Sequence, residues 1–253
     1  MPVRPPAVKP ALQPANQMGP RVYERWRASR LASVTEALEQ RRILDLMGPV
    51  EGRRILDLGC GEGLPTWTLA DRGAPAVGID VDRATLDVAP ARSVGSRRQR
   101  PRFVEGRIEQ LPFPDGSFDV VVIVTVLCLV ADGADAVREA ARVLEPGGRL
   151  VIGDLGRWSA WAARRRVKAW LGSQVWQSAH FSTAPGLSRL VRRAGVIVEV
   201  VRGSVYYPPI GVLARPLARL DRWFGTITTV GAAFIALAAR KPAMDTPTRT
   251  ESS

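Results

Sequence analysis

One segment sets the architecture of the chain: Ile55-Leu56-Asp57-Leu58-Gly59-Cys60-Gly61-Glu62-Gly63. Its short apolar run is typical of a buried strand, and the closely spaced glycines let the backbone turn tightly into a helix. A loop without bulky side chains also lets a ligand approach the backbone closely. The segment therefore predicts a strand, a ligand-binding loop and the start of a helix.

Short apolar runs alternate with helix-length segments through most of the chain. Further strands are predicted at Ala76–Ile79, Phe103–Glu105, Phe118–Val124, Leu150–Ile152, Val196–Val201 and Ala232–Arg240. Helices are predicted at Arg21–Met47, Thr66–Ala70, Arg83–Val94, Ala134–Leu144, Arg157–Leu171, Ala184–Ala194 and Leu213–Trp223, and a turn at Glu145–Gly148. This alternation predicts a Rossmann-like α/β fold, in which helices cover both faces of a mostly parallel sheet.

The length of the chain suits one such domain, at residues 21–242. Residues 1–20 contain six prolines and are expected to form a flexible leader, and residues 243–253 a disordered tail. Residues 156–183, rich in arginine and tryptophan, are expected to be an inserted cap. The uncharged run Trp223–Ala239 is at the short limit for a membrane span, and its glycines and threonines favour a turn that leads into a buried strand.

Charge is distributed unevenly along the 253 residues. The chain has 36 Lys+Arg and 24 Asp+Glu, a net charge of +12, and residues 155–241 contain fourteen basic residues but only two acidic ones. The C-terminal third therefore carries the whole excess. Two cysteines and one histidine exclude a disulfide framework and a histidine-rich metal site, so we expect no metal and a reducing, cytoplasmic location.

The carboxylates near the glycine loop help to identify its ligand. Asp57 and Glu62 flank the loop, where they repel the pyrophosphate of a dinucleotide and attract S-adenosylmethionine (SAM), which carries a sulfonium and an ammonium group. Asp80 follows Gly63 by seventeen residues, close to the spacing at which an acid reaches ribose hydroxyls in such folds. Asp80 suits either ligand, whereas the two loop carboxylates favour SAM.

Four segments together resemble a known family. They are Asp57–Gly63, Gly78–Asp80, Leu111–Val121 and Arg142–Leu150. In sequence and order they resemble the class I SAM-dependent methyltransferases, and most closely the small-molecule group that includes the ubiquinone and menaquinone methyltransferases. The resemblance implies a seven-stranded sheet with an antiparallel last strand. It also implies methyl transfer from SAM to a small acceptor, for which we expect apolar or anionic character.

The resemblance also implies where SAM binds. The expected residues are Asp57, Gly59, Cys60, Gly61, Asp80, Val81, Gly106, Ile108 and Val124. Among these, Asp57 and the glycines would line the methionine end, Asp80 the ribose and Val81 the adenine. Arg107 stands where the family often has an acid that accepts from the adenine amino group, and arginine has no acceptor. Either the Ile108 backbone recognises adenine alone, or a neighbouring residue substitutes.

Methyl transfer requires alignment and exclusion of water, and a base only where the nucleophile starts protonated. The candidate catalytic residues are Asp154, His180 and Tyr206. Asp154 follows a strand, where open α/β sheets place their sites, but it could equally cap the next helix. His180 could be a base, but a lone histidine beside Phe181 is more often structural or exposed. Tyr206 could face an acceptor or pack beside the nearby prolines.

Aromatic and basic residues suggest the acceptor side of the site. The substrate-side candidates are Tyr23, Trp26, Trp158, Trp161 and Arg165. On a helix over Arg157–Leu171, five residues share an arc of about 100°: Arg157, Trp161, Arg164, Arg165 and Lys168. Such a helix suits capping of the cleft, contact with an anionic membrane surface or binding of an acidic acceptor. A merely solvated arginine face is the remaining alternative.

Two other functions compete with small-molecule methylation. The basic third suits a nucleic-acid methyltransferase, although no RNA-binding motif and no Asn-Pro-Pro-Tyr signature accompanies it, so nucleic acid is not the expected partner. A non-catalytic scaffold that kept the fold at a membrane periphery is the other alternative. The expected partner is a small-molecule acceptor, with an anionic membrane surface as a second partner of the basic third.

Overall fold

The computed structural model describes residues 29–89, 99–130 and 132–243. The strands of this part are β1 (Ile55–Leu58), β2 (Ala76–Asp80), β3 (Arg102–Glu105), β4 (Phe118–Val124), β5 (Leu144–Leu155), β6 (Ile197–Ser204) and β7 (Phe234–Arg240). Its helices are α1 (Arg30–Met47), α2 (Leu64–Asp71), α3 (Arg83–Val88), α4 (Gly133–Val143), α5 (Ala160–Trp170), α6 (Gln174–Ser178), α7 (Ala184–Arg193), α8 (Gly211–Ala218) and α9 (Asp221–Ile227).

The seven strands form one sheet in the order β3-β2-β1-β4-β5-β7-β6. Neighbouring strands from β3 to β5 are parallel, whereas β7 runs antiparallel to both β5 and β6. The predicted Rossmann-like sheet with an antiparallel last strand is therefore confirmed. After β1 the chain builds outward to β3 and then returns to β4 on the other side of β1. Open α/β sheets bind ligands beside the carboxyl ends of their strands at such a reversal.

Two hydrophobic layers hold helices against the sheet. Leu56 and Leu58 of β1 pack into the layer that includes the buried side of α4, whereas Ile55 packs into the layer beneath α1 and α2. Successive residues of a strand point to opposite faces, so a strand that is buried on both faces is apolar at nearly every position. The one acid in β1, Asp57, is buried among them and lies near the carboxyl end.

Several predicted boundaries differ from the observed ones. Glu145–Gly148 is not a separate turn: it lies inside β5 as a bulge, where the pairing skips from Phe118–Leu144 to Val120–Arg149. Gly147 still has a positive φ of 79°, as a tight reversal of the backbone requires. The helix predicted at Leu213–Trp223 is instead two short helices, α8 and α9.

The predicted strand near the end of the chain is present as β7, which starts at Phe234, and α9 precedes it. Across the described ranges, no helix has both the length and the apolar character that crossing a membrane requires. The expected leader at residues 1–20 lies outside the described residues, as do residues 21–28 and 90–94 of two expected helices and positions 244–253 of the expected tail.

Candidate active site

The carboxyl ends of four adjacent strands form a row at one edge of the sheet. Asp80 ends β2, the glycine loop follows β1, Thr125 and Val126 follow β4, and Asp154 lies near the end of β5. Adjacent strands are roughly 4.8 Å apart, so β1 and β5 are separated by about 10 Å. A ligand over the glycine loop therefore lies within reach of a second ligand over Asp154.

The glycine loop is shaped by positive backbone angles. Gly59, Gly61 and Gly63 have φ values of 70°, 53° and 78°. A Cβ on Gly59 would come within 2.3 Å of Val126, and one on Gly63 within 2.6 Å of Phe103, so neither position has room for a side chain. At Gly61 the same position faces open space. The loop therefore packs closely on the sheet and presents bare backbone outward.

Asp57 lies beneath this loop. Its carboxyl is buried, and the Thr66 hydroxyl at the start of α2 donates a hydrogen bond of 2.7 Å to its Oδ2. Burial raises the pKa of Asp57 to about 6; the Thr66 bond opposes this shift and the nearby Asp80 carboxylate adds to it. A cation next to Asp57 would relieve the cost of its ionisation. The arrangement therefore fits the cationic methionine end of SAM.

Asp80 is held rigidly at the end of β2. Its Oδ2 accepts from the Gly61 N–H at 2.9 Å and its Oδ1 from the Asp82 N–H at 3.0 Å. The first bond joins Asp80 to the glycine loop, and the two together fix the orientation of the partly buried carboxylate. Such a carboxylate can also accept hydrogen bonds from two ribose hydroxyls.

The residues expected around adenine lie beside Asp80. Val81 is 52% exposed, Ile108 is buried, and the Gly106 N–H donates to the Asp80 carbonyl at 2.9 Å. The guanidinium of Arg107 is 3.5 Å from the carboxylate of Glu109. An acid therefore lies next to Arg107, which occupies the position where the family often has an acid. Glu109 is thus a neighbour that can accept a hydrogen bond where Arg107 has no acceptor.

Cys60 and Val124 complete the expected SAM-binding set. Cys60 is buried, its sulfur lies close to Gly78, and burial raises the pKa of its thiol, so it is a packing residue of the loop and no nucleophile. Val124 is the last residue of β4 and is partly buried. Thr125, which follows it, has an unusual positive φ of 54°, and its N–H donates to the Gly153 carbonyl at 2.7 Å.

Asp154 forms a second buried acidic site. The Ser182 hydroxyl donates to its Oδ2, whereas no donor reaches its buried Oδ1 with hydrogen-bond geometry, although the Cys128 thiol and the backbone N–H groups of Cys128 and Leu155 lie near the carboxyl. Burial raises the pKa of Asp154 above the ordinary value for aspartate. A buried oxygen without a partner is costly, and it gives this site an open acceptor.

Arg165 approaches the same region from α5. Its guanidinium carbon lies 5.6 Å from the centre of the Trp161 ring and 4.9 Å from that of Trp176, and its Nη1 is buried without a hydrogen-bond partner. Burial lowers the pKa of Arg165, while Glu39, Cys128 and Asp154 oppose that shift. Burial also raises the pKa of Glu39 to about 7.

The structure separates the other candidates from this site or assigns them other contacts. His180 has an exposed side chain. Tyr206 donates its hydroxyl to the Thr228 carbonyl and packs on Phe224. Trp161 is buried and donates its Nε1–H to the Tyr207 carbonyl at 2.9 Å, so it is a core residue of the cap. Trp158 is 62% exposed and lines a shallow groove.

Tyr23 and Trp26 lie outside the described residues. The arc that was predicted on α5 is also divided: Arg157 precedes the helix, Trp161 and Arg165 point inward, and Arg164 and Lys168 are exposed. Four of the five residues thus lie on the helix, within the predicted arc, but the arc is not a single solvated face, because the helix packs against the 205–209 segment through Trp161.

Sequence reasoning missed four partners in the site: Thr66, Ser182, Glu39 and Cys128. Thr66 alone had a local signal, since it lies in the first turn of the helix that the glycine loop opens. Ser182 is 28 positions from Asp154, and Glu39 reaches the Arg165 region from another helix. In the described part of the chain, no three histidine, cysteine or acidic side chains are grouped as a metal site would require.

Comparisons with known proteins agree with this geometry. Residues 56–152 match the family model described as "Methyltransferase domain". The chain is 32% identical over 178 residues to a ubiquinone biosynthesis O-methyltransferase of Alkalilimnicola ehrlichii, covering 66% of this chain and 69% of that one. It is 37% identical over 122 residues to a demethylmenaquinone methyltransferase of Tropheryma whipplei, covering 48% of this chain and only half of that relative.

A solved SAM-dependent methyltransferase from Thermotoga maritima has the same fold. Its TM-score is 0.67 at 22% identity, and the match covers 89% of this chain and 97% of that one. The sheet order, the glycine loop with its two acids and these similarities agree on the cofactor, S-adenosylmethionine. The chain belongs to the class I SAM-dependent methyltransferases.

Proposed function

We propose that the enzyme methylates a hydroxyl oxygen of a small, quinone-type aromatic acceptor that lies between the glycine loop and Asp154. The observation that carries this proposal is the buried Asp154 Oδ1, an acceptor without a hydrogen-bond partner near the carboxyl end of β5. The name of the relative from Alkalilimnicola ehrlichii supports the acceptor class and the attacked atom, and that of the Tropheryma whipplei relative supports a quinone-type acceptor.

We further propose that the nine expected residues hold SAM. Asp57 would face the cationic methionine end, Asp80 the ribose hydroxyls, and Val81 with the backbone of Gly106 and Ile108 the adenine. The bare backbone at Gly61 and the fixed carboxylate of Asp80 support this placement. Bound SAM supplies a methyl group on a positively charged sulfur, and the cap excludes water from it.

The reaction also needs a route for the acceptor's proton. The acceptor oxygen would take the methyl group from the sulfonium of SAM, and Asp154 would take the hydroxyl proton that this oxygen loses. A carboxylate with a raised pKa is a better proton acceptor than an ordinary aspartate. Ser182 fixes the orientation of the carboxylate, and the nearby Arg165 guanidinium favours the oxyanion that develops.

Titration calorimetry with SAM tests the cofactor site. Asp80→Ala should weaken SAM binding about a hundredfold, because two charge-assisted hydrogen bonds to the ribose are lost. Asp87→Ala is the matched control, since Asp87 is an exposed acid on α3 that pairs with Arg83. Equal affinity in both variants would contradict the placement of SAM at Asp80.

Methyl transfer from labelled SAM to a panel of hydroxylated benzenes and quinols tests the acceptor site. Mass spectrometry should find an O-methyl product. Asp154→Asn should lower kcat by about 10²-fold or more and leave SAM affinity unchanged, because asparagine keeps the shape but accepts no proton. Asp45→Asn, on the exposed side of α1, is the control. Full activity of the Asp154 variant would exclude its role as the base.

A nucleic-acid substrate and a non-catalytic scaffold are not favoured, since the relatives are named as small-molecule methyltransferases. Contact of the basic C-terminal third with an anionic membrane is a separate proposal. The exposed side chains of α5 support it.

A further inference from the structure

Helix α5 carries an apolar stripe on its outer side. Val167, Trp170 and Leu171 expose 54%, 86% and 71% of their surfaces, whereas Trp161 and Ala162 on the inner side are buried. The spacing of three to four residues places the exposed three along one side of the helix. A helix that faces only water carries polar residues there, so this stripe requires another explanation.

Positive charges flank the stripe. Arg166 lies on one side of it, and Arg164 and Lys168 lie on the other; all three are exposed. The helix contains no acid. Of the two acids between residues 155 and 241, Asp221 is buried and Glu199 is paired with Arg149 and Arg240, so neither offsets this charge.

A second apolar set lies on the neighbouring segment. Leu220, Trp223 and Ile227 of α9 and its flanks are exposed, as is Val230 beyond them. The groove connects this set with the start of α5: Trp158, two residues before the helix, and Val230 line one shallow groove of about 350 Å³. Farther along α5, the Arg164 guanidinium donates to the carbonyl of Pro209, which precedes α8, at 3.5 Å.

We propose that this surface, formed by α5 and residues 217–230, docks the enzyme on an anionic lipid bilayer. Tryptophan and leucine partition into the boundary between headgroups and acyl chains, and flanking arginines and lysines attract anionic headgroups. Nucleic acid would use the charges but leave the apolar stripe exposed to water. The proposal concerns where the enzyme works, and it is independent of which acceptor it methylates.

Vesicle sedimentation with the full chain tests this docking. We expect binding to vesicles in which about a third of the lipid is phosphatidylglycerol, and at least tenfold weaker binding to pure phosphatidylcholine vesicles. Trp170→Ser/Leu171→Ser should weaken binding to the anionic vesicles about tenfold or more, since both side chains lose their place in the bilayer. The control is Val88→Ser/Ile197→Ser, which removes two exposed apolar side chains elsewhere and should change nothing.

Two charge-reversal double variants test how much the positive charges contribute to vesicle binding. Arg164→Glu/Lys168→Glu should abolish the preference for anionic vesicles, whereas Arg192→Glu/Arg193→Glu, with the same change of net charge on α7, should keep it. SAM affinity measured on each variant reports that the fold is intact. Absence of vesicle binding, or equal loss in target and control variants, would overturn the proposal. Salt-sensitive binding to nucleic acid without vesicle binding, or a dimer that the Trp170/Leu171 variant dissociates, would replace it.

Discussion

At the scale of single residues, the proposed contact of Asp57 with SAM predicts that cofactor binding depends on pH. Burial raises its pKa to about 6 in the free enzyme, and a bound cation would lower it again. SAM affinity should therefore fall about tenfold as the pH decreases from 7 to 5, because binding must then displace a proton. Titration calorimetry across this range measures the effect.

Asp57→Asn is the control for this prediction. Asparagine keeps a hydrogen bond with Thr66 but does not titrate, so affinity should be lower at pH 7 and nearly independent of pH below it. Proton release on binding, measured at pH 5 to 6 in buffers of different ionisation enthalpy, should disappear in the variant. The same pH dependence in both proteins would assign it to another group.

The glycine loop offers a second residue-scale prediction. Gly63→Ala should destabilise the protein by about 3 kcal/mol, because alanine at a φ of 78° is strained and its Cβ meets the Phe103 ring at 2.6 Å. Gly52→Ala, with a φ of 72° and nothing within 4 Å, should cost only the strain, about 1 kcal/mol. Urea unfolding compares the two, and equal losses would mean that the ring gives way freely.

The site residues that belong to a local sequence motif could be predicted, whereas their partners from distant parts of the sequence could not. Asp57, Asp80 and the glycines follow from local sequence, since a strand, a turn and a helix fix their positions. Ser182 and Glu39 face Asp154 and Arg165 only because separate elements meet at the edge of the sheet, and that meeting has no local signal.

At the scale of elements, the two faces of α5 should differ sharply in their contribution to stability. Trp161→Ala should lower the free energy of unfolding by about 3–5 kcal/mol, because a buried ring and its bond to the Tyr207 carbonyl are lost. Trp170→Ala should change it by less than about 0.5 kcal/mol, since that side chain is 86% exposed. Urea unfolding of both variants measures this; equal losses would contradict the orientation of the helix.

Sequence patterns predicted elements best where both faces of the sheet are buried. β1 and β4 have the predicted bounds, Ile55–Leu58 and Phe118–Val124, because continuous apolar runs leave little choice of boundary. The pattern failed where tertiary contacts decide. The Glu145–Gly148 segment, with its turn residues, does not end a strand but forms a bulge inside β5, between the Phe118–Leu144 and Val120–Arg149 pairs. The side of α5 that faces inward depends on the 205–209 segment.

For the whole molecule, buried acids displace the pH of greatest stability. Burial raises the pKa of Asp57 to about 6 and of Glu39 to about 7, so the native state binds more protons than the unfolded chain between pH 4 and 7. The free energy of unfolding should therefore fall by about 4 kcal/mol from pH 5 to 8. Below pH 4 it should fall again, as Glu139 and Glu199, whose pKa values are lowered by arginine, become protonated.

Urea unfolding at each pH measures this curve in the absence of SAM. Asp57→Asn/Glu39→Gln should remove most of the decline between pH 5 and 8. Asp45→Asn/Asp71→Asn changes the net charge equally and should leave the decline in place. A stability maximum at neutral pH in the unmodified enzyme would show that other groups dominate.

The position of β7 has a consequence for how the chain is made. Among the described residues, β7 is the last strand along the chain, but it lies inside the sheet, between β5 and β6. Until residues 234–240 leave the ribosome, β5 and β6 each present an unpaired edge, and such edges invite pairing with other chains. The sheet therefore closes only after nearly all of its residues have been synthesised, so newly made chains of this enzyme depend on protection from aggregation until the final strand is inserted.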